Sequence, residues 1–158
     1  MKLAKTNAAR LLDKAGVNYE LVAYDVDENY LAATHVAQQL GQDINQVFKT
    51  LVLRGDKTGL FVCIVPGDAN VDLKKAAKVS GNKSAQMIHV KELLSLTGYI
   101  RGGCSPIGMK KPYPEFIHQT AMDYPFIYVS AGVRGLQLKI DPKDLVNFQK
   151  INVSDIIE

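Results

Sequence analysis

The sequence predicts an α+β fold: a single domain over residues 1–158, with a mixed, mainly antiparallel sheet curled towards a barrel and helices flanking it. Three observations lead there. A chain of 158 residues that is 47% hydrophobic suits one compact core and is short for two. The predicted elements run helix, strand, helix, two strands, helix, strand, helix, then several strands and a last helix, which is not the regular alternation of a parallel α/β sheet. Two near-continuous apolar runs, Gln46 to Leu53 and Leu60 to Val65, flank a polar, glycine-bearing loop from Arg54 to Gly59. Such runs imply strands buried on both faces, so this hairpin belongs at the centre of the sheet.

Taken in order, Thr6 or Asn7 caps a helix through Ala8, Ala9, Leu11, Leu12 and Ala15, which Gly16 ends. Val17 to Tyr24 reads as a strand feeding an acidic loop at Asp25, Asp27 and Glu28. Thr34 is placed to cap a second helix through Val36, Ala37 and Leu40, closed by Gly41. After the hairpin, Asp72 caps a basic helix whose lysines read as a solvated face. Ser84 to Ile88 suggests a strand, and Val90 to Leu96 a short helix stopped by Gly98. Phe116 to His118 and Phe126 to Val129 follow as strands, and Leu136 to Ile140 alternates as a half-exposed one. Pro142 opens the last helix.

Nineteen basic against sixteen acidic side chains give a net charge of +3, enough for a local polyanion contact but unlike a DNA-coating protein. No segment has the roughly 18 apolar residues of a membrane helix, and the first residues carry no signal-like core, so a soluble, cytoplasmic protein is expected. The two cysteines do not suggest a disulfide framework, and His35, His89 and His118 lack metal-ligand spacing; no metal or cofactor is expected.

Chemistry is suggested first by Lys49, a cation inside the run Val47-Phe48-Lys49-Thr50-Leu51-Val52. Desolvation would lower its proton affinity, whereas a nearby anion would keep it charged as an anchor; an edge position with the stem along the sheet is the bland alternative. Two irregular glycine-bearing stretches, Gly102 to Gly108 and Ser130 to Gly135, could present backbone N–H groups to an oxyanion or phosphate, or could be tight connections. Arg134 adds a bidentate donor. Cys104 is the one obvious nucleophile, but no histidine is positioned by sequence to activate it, and a structural role is preferred. Schiff-base chemistry at Lys49 is a weaker alternative.

Four stretches in order resemble one family: Phe48-Lys49-Thr50-Leu51, Asp72 to Ala77, Gly102 to Gly108, and Ser130 to Leu136. Together they are similar to the YbaK/EbsC group of Cys-tRNA(Pro) deacylases, related to the editing domain inserted in bacterial prolyl-tRNA synthetases. The resemblance implies a free-standing editing enzyme that removes cysteine from mischarged tRNA beside prolyl-tRNA synthetase, with no cofactor. It implies Lys49 as the key catalytic residue, holding the terminal nucleotide and ester while the substrate's own thiol attacks. It also implies a pocket drawn from Tyr24, Tyr30, Thr50, Gly102, Gly103, Ser105, Pro106, Ser130, Ala131, Gly132, Arg134 and Gln137. One departure stands out: many members carry an acidic residue after Arg-Gly-Leu, where this chain has Gln137. That departure, with basic residues such as Lys74, Lys75, Lys110 and Lys111, motivates a rival expectation, a non-catalytic module that binds charged tRNA ends or prolyl-tRNA synthetase.

Overall fold

The computed structural model describes residues 4–27, 29 and 31–158. The helices are α1 (Asn7–Ala15), α2 (Ala33–Leu40), α3 (Leu73–Ser80), α4 (Leu93–Thr97) and α5 (Pro142–Gln149). The strands are β1 (Glu20–Ala23), β2 (Phe48–Gly55), β3 (Gly59–Pro66), β4 (Ala85–Met87), β5 (Glu115–His118), β6 (Ile127–Ser130), β7 (Leu136–Ile140) and β8 (Asn152–Ser154). Short 3-10 turns at Ile44–Gln46 and Val90–Glu92 lead into β2 and α4.

The strands form two sheets, β4-β2-β3-β5-β8 and β1-β7-β6. The hairpin lies at the heart of the larger one, as its apolar runs require, with Phe48 opposite Pro66 and Gly55 opposite Gly59. β5 joins β3 in parallel and β8 joins β5 in parallel, while β1, β7 and β6 are antiparallel. The sheets touch where Val47 bridges Tyr128 in parallel. One bridge curls the sheets together, and no closed barrel is formed among the described residues.

Both sheets contribute to one apolar centre. Phe48, Val52 and Ile64 of the larger sheet meet Ile127, Val129 and Leu138 of the smaller, with Leu12 of α1 and Leu145 of α5 packed beside them. The outer face of the larger sheet is covered by α3, whose Ala76 packs on Leu53, Phe61, Cys63 and Val65. α2 closes the seam, setting Val36 and Ala37 against Val47 and Tyr128.

Local chemistry explains most boundaries. Thr6 accepts from the Ala9 N–H and Asp72 from those of Lys74 and Lys75, so α1 and α3 start at capping oxygens. Gly16 and Gly81 end these helices with positive φ. α2 departs from expectation: its N-cap is Ala32, which offers no side-chain acceptor, and Thr34 lies inside the first turn. The hairpin loop is tighter than its composition suggests, because Arg54, Gly55 and Gly59 remain in the strands and only Asp56, Lys57 and Thr58 turn. Asn82 makes this possible by accepting from the Lys57 and Thr58 N–H groups at 2.8 Å each. The first strand is shorter than its propensities imply, covering Glu20–Ala23 alone. β7 is not half-exposed; as the middle strand of its sheet it buries Leu136, Leu138 and Ile140 on one face and Gln137 on the other.

Candidate functional site

A cavity of about 380 Å³ opens along β2, and the hydrogen-bond alternation of that strand explains why. The Gly67 N–H donates to the Val47 carbonyl at 2.8 Å, so this carbonyl and the main-chain groups of Lys49 and Leu51 turn towards β3, while the Val47 N–H donates to the Ile44 carbonyl at 3.1 Å. Phe48, Thr50 and Val52 therefore face the opposite edge. There β4 stops with the bond from Ile88 N–H to the Val52 carbonyl at 3.2 Å, and β6 reaches only the Val47 bridge. Thr50 lies in the gap, where among the described residues no strand pairs with it on that side. At a free edge both faces of a strand border the same space, which is why the adjacent residues Lys49 and Thr50 both line the cavity.

Lys49 is half-buried, and loss of water lowers its proton affinity below the ordinary lysine range, while the carboxylate of Asp68 pulls the other way. The close seat of α2 over this region depends on Gly67: a Cβ there would stand 2.6 Å from the Ala33 Cβ and 2.7 Å from the Ile44 Cδ1. Two residues beyond the Val47–Tyr128 bridge on each strand stand Lys49 and Ser130, and Gln137 pairs with Ser130 on β7. The cavity is thus crossed by a row of polar side chains from β2, β6 and β7. Thr50 Oγ1 and Gln137 Oε1 are buried and make no hydrogen bond within the protein. Gln137 is 5% exposed, so its acceptor is held dry and aimed at a space that a ligand would fill.

The two glycine-bearing loops lock together behind this row. The Arg134 Nε donates to the Arg101 carbonyl at 2.8 Å, tying one to the other. A Cβ on Gly103 would stand 3.1 Å from the Arg134 main-chain nitrogen, and one on Gly132, at φ 107°, would stand 3.0 Å from the Tyr99 ring. Tyr99 in turn donates its hydroxyl to the Ile107 carbonyl. Ser105 accepts from the Ile107 N–H at 3.2 Å and Ser130 from the Gly132 N–H at 3.1 Å, so both serines shape their turns.

Comparison with known proteins gives this geometry a setting. The family model described as aminoacyl-tRNA editing domain matches residues 27–148. The chain belongs to the aminoacyl-tRNA editing domain family. EbsC of Enterococcus faecalis, named as a candidate Cys-tRNA(Pro)/Cys-tRNA(Cys) deacylase, is 45% identical over 152 residues, covering 96% of this chain and 93% of that protein. A proline–tRNA ligase of Thermosipho africanus is 31% identical over 83 residues, which is 52% of this chain and 15% of the ligase. A crystal structure of a candidate trans-editing enzyme for prolyl tRNA synthetase superposes with a TM-score of 0.83 at 26% identity, covering 98% of this chain and 99% of its own.

Within this editing domain, Cys104 lines the cavity as a protonated thiol. Burial pushes its pKa up to about 12, a hydrogen bond with Thr97 offsets this only in part, and nearby Glu115 adds to it. Glu115 is itself buried and held up at about 8, despite a bond at 3.0 Å from Gln149 Nε2. Cys63, in the core, is likewise pushed to about 12. Among the described residues no group of histidine, cysteine and carboxylate side chains is arranged to hold a metal ion.

Of the residues expected from sequence, the cavity gathers Lys49, Thr50, Gly102, Ser130 and Gln137. Gly103, Ser105, Pro106, Ala131, Gly132 and Arg134 stand behind its wall in the interlocked loops. Tyr24 packs with Val22, Val36 and Tyr128 outside the lining, and Tyr30 lies outside the described residues. Sequence reasoning missed the apolar border supplied by Leu31, Val36, Met87, Ile88, Val90 and Leu93, together with Arg101. No local pattern marks this border, because Met87 and Val90 sit in short elements that acquire a face only when the chain folds.

Proposed function

We propose that this protein is a trans-editing deacylase that releases cysteine from Cys-tRNA(Pro), with Cys-tRNA(Cys) as a further substrate, and that residues 1–158 act as one editing domain. The observation that carries the reading is a desolvated Lys49 in a cavity whose own thiol, Cys104, is held protonated at about 12. Such a site is equipped to position and polarise a substrate and has no activated nucleophile in Cys104, so the attacking group comes with the substrate. The cysteinyl thiol gives up its proton and its sulfur bonds to the ester carbonyl carbon. The carbon–oxygen bond to the ribose breaks, the ribose oxygen takes a proton, and water opens the resulting thiolactone to free cysteine. Tethering supplies the effective concentration, and selectivity against alanine and serine follows from the need for sulfur.

Lys49 serves as the cation beside the ester and terminal nucleotide. The Thr50 N–H, facing the cavity, is a donor for the oxygen on which charge develops. The unbonded Gln137 Oε1 and Thr50 Oγ1 accept from donors on the aminoacyl group. The partners are mischarged tRNA and, by the likeness to prolyl-tRNA synthetase segments, that synthetase. No described helix is long and apolar enough to cross a membrane, which suits action in the cytoplasm beside the ribosome's substrates.

The test is a deacylation panel of Cys-, Ala- and Ser-charged tRNA with wild type, Lys49→Ala and Cys104→Ser. Cysteine is expected to be released preferentially, Lys49→Ala to lose about 100-fold or more in rate, and Cys104→Ser to stay close to wild type. Full activity of Lys49→Ala would overturn the mechanism. A neutral Gln137 where many relatives carry an acid favours the binding-module reading, which predicts retention of charged tRNA without Lys49-dependent turnover.

A further inference from the structure

Outside the cavity, the segment from Ala85 to Pro114 combines exposed apolar side chains with charge largely of one sign. Val90 is 61% exposed, Leu94 54%, Ile100 46% and Met87 42%, and all four belong to the continuous stretch that forms β4, α4 and the loop after it. Met87 and Val90 also border the cavity, so the apolar strip begins at its mouth. Between Ala85 and Pro114 the sequence has Lys91, Arg101, Lys110 and Lys111 against one carboxylate, Glu92. That carboxylate is already engaged, one oxygen with Arg54 at 3.1 Å and the other with the His89 N–H at 3.0 Å. The four cations are exposed, and Lys110 lies along α4 with its Nζ donating to the Ser95 carbonyl at 3.3 Å.

We propose that this face is the docking surface for the double-helical arm of the RNA whose charged end enters the cavity. The unpaired terminal nucleotides lie over Met87, Val90 and Ile100, and the duplex phosphates meet Lys91, Lys110 and Lys111. The inference rests on the deacylase reading above. Unpaired bases present apolar faces that can cover exposed apolar side chains, and a polyphosphate brings a negative charge at every step to a segment whose one carboxylate is already engaged. The lysines of α3 offer an internal contrast. They stand over the other face of the larger sheet, where Ala76 packs, whereas Ile88 and Leu93 of the proposed face pack on the core between the sheets.

The experiment compares two substrates, Cys-tRNA(Pro) and the cysteinyl ester of adenosine, which carries the reacting bond without the RNA arm. The variants are Lys91→Glu/Lys111→Glu, the triple that adds Lys110→Glu, and a control, Lys74→Glu/Lys78→Glu, on α3. For the triple, KM for Cys-tRNA(Pro) is expected to rise about tenfold or more and the salt dependence of kcat/KM to flatten by about two to three log units per log unit of salt. Turnover of the adenosine ester should stay within about twofold of wild type, which also reports that the variants fold. Equal losses on both substrates, or an equal loss from the α3 control, would overturn the assignment. So would an unchanged KM that falls into line only when prolyl-tRNA synthetase is added, which would make the face a protein contact. Wild type that turns over neither substrate sinks the deacylase reading itself.

Discussion

Burial drives two ionisable side chains towards their uncharged forms, Lys49 in part and Glu115 strongly. For Glu115 the consequence is a stability that depends on pH in an unusual direction. Its folded pKa of about 8 lies above the ordinary value of 4.5, so between these values the folded protein holds a proton that the unfolded chain releases. Stability from this group is complete below pH 4.5 and is lost as pH rises through 8. Melting temperature is therefore expected to fall from pH 5 to pH 8, a window inside those two pKa values, and Glu115→Gln should remove most of that slope. Gln149 is the partner that decides how well the replacement amide fits, since its Nε2 also donates to the Pro106 carbonyl at 2.8 Å. Parallel slopes for wild type and Glu115→Gln across that range would show that the carboxyl is ionised when folded.

At the scale of the element, β2 matters more for what it leaves unbonded than for what it pairs. Lys49, Leu51 and Leu53 are committed to β3, and Thr50 is the residue left without a strand on its other side. Replacing Thr50 by proline removes an N–H on the side away from β3, where no strand pairs with it among the described residues, so the β2–β3 ladder should survive, because proline is tolerated at a strand edge. If that N–H stabilises the reacting ester, Thr50→Pro should fold and lose about 100-fold in kcat/KM. Thr50→Val, which keeps the N–H and discards the hydroxyl, should lose far less. Backbone amide exchange gives a readout free of catalysis: Thr50 should exchange faster than Lys49 and Leu51 in the free protein. It should slow when the stable amide analogue of cysteinyl adenosine is bound. Equal rate losses in the two variants would transfer the role from main chain to side chain.

For the molecule as a whole, the shared core is what makes two sheets behave as one body. Residues of both sheets and of α1 and α5 meet in a single cluster, so unfolding is expected to be one transition. Urea curves followed by far-ultraviolet circular dichroism and by tyrosine fluorescence should coincide; separate midpoints would divide the chain into two units. This scale also limits what sequence can reveal. Thr6, Asp72 and Asp141 announce their helices because capping is local, and Lys49 announces itself because a charge in an apolar run is rare. Gln137 reads as the polar side of a half-exposed strand; it is buried in the middle strand of its sheet, paired with Val22 and Ser130, a placement no local pattern encodes. β8 has three residues and exists only through parallel pairing with β5, some 36 positions away in register from Phe116 to Asn152. The cavity border from Met87 to Leu93 was illegible for the same reason: weak elements acquire a face only when the sheets curl.

The gap in β2 has a bearing on solubility as well. Exposed strand edges invite other chains to zip on, and proteins suppress this by shortening, covering or charging them. Here the unpaired length is essentially Thr50, recessed between β4 and β6 and bordered by the side chain of Lys49. It is long enough for a small molecule to make a pair of hydrogen bonds, and too short to seed a growing sheet.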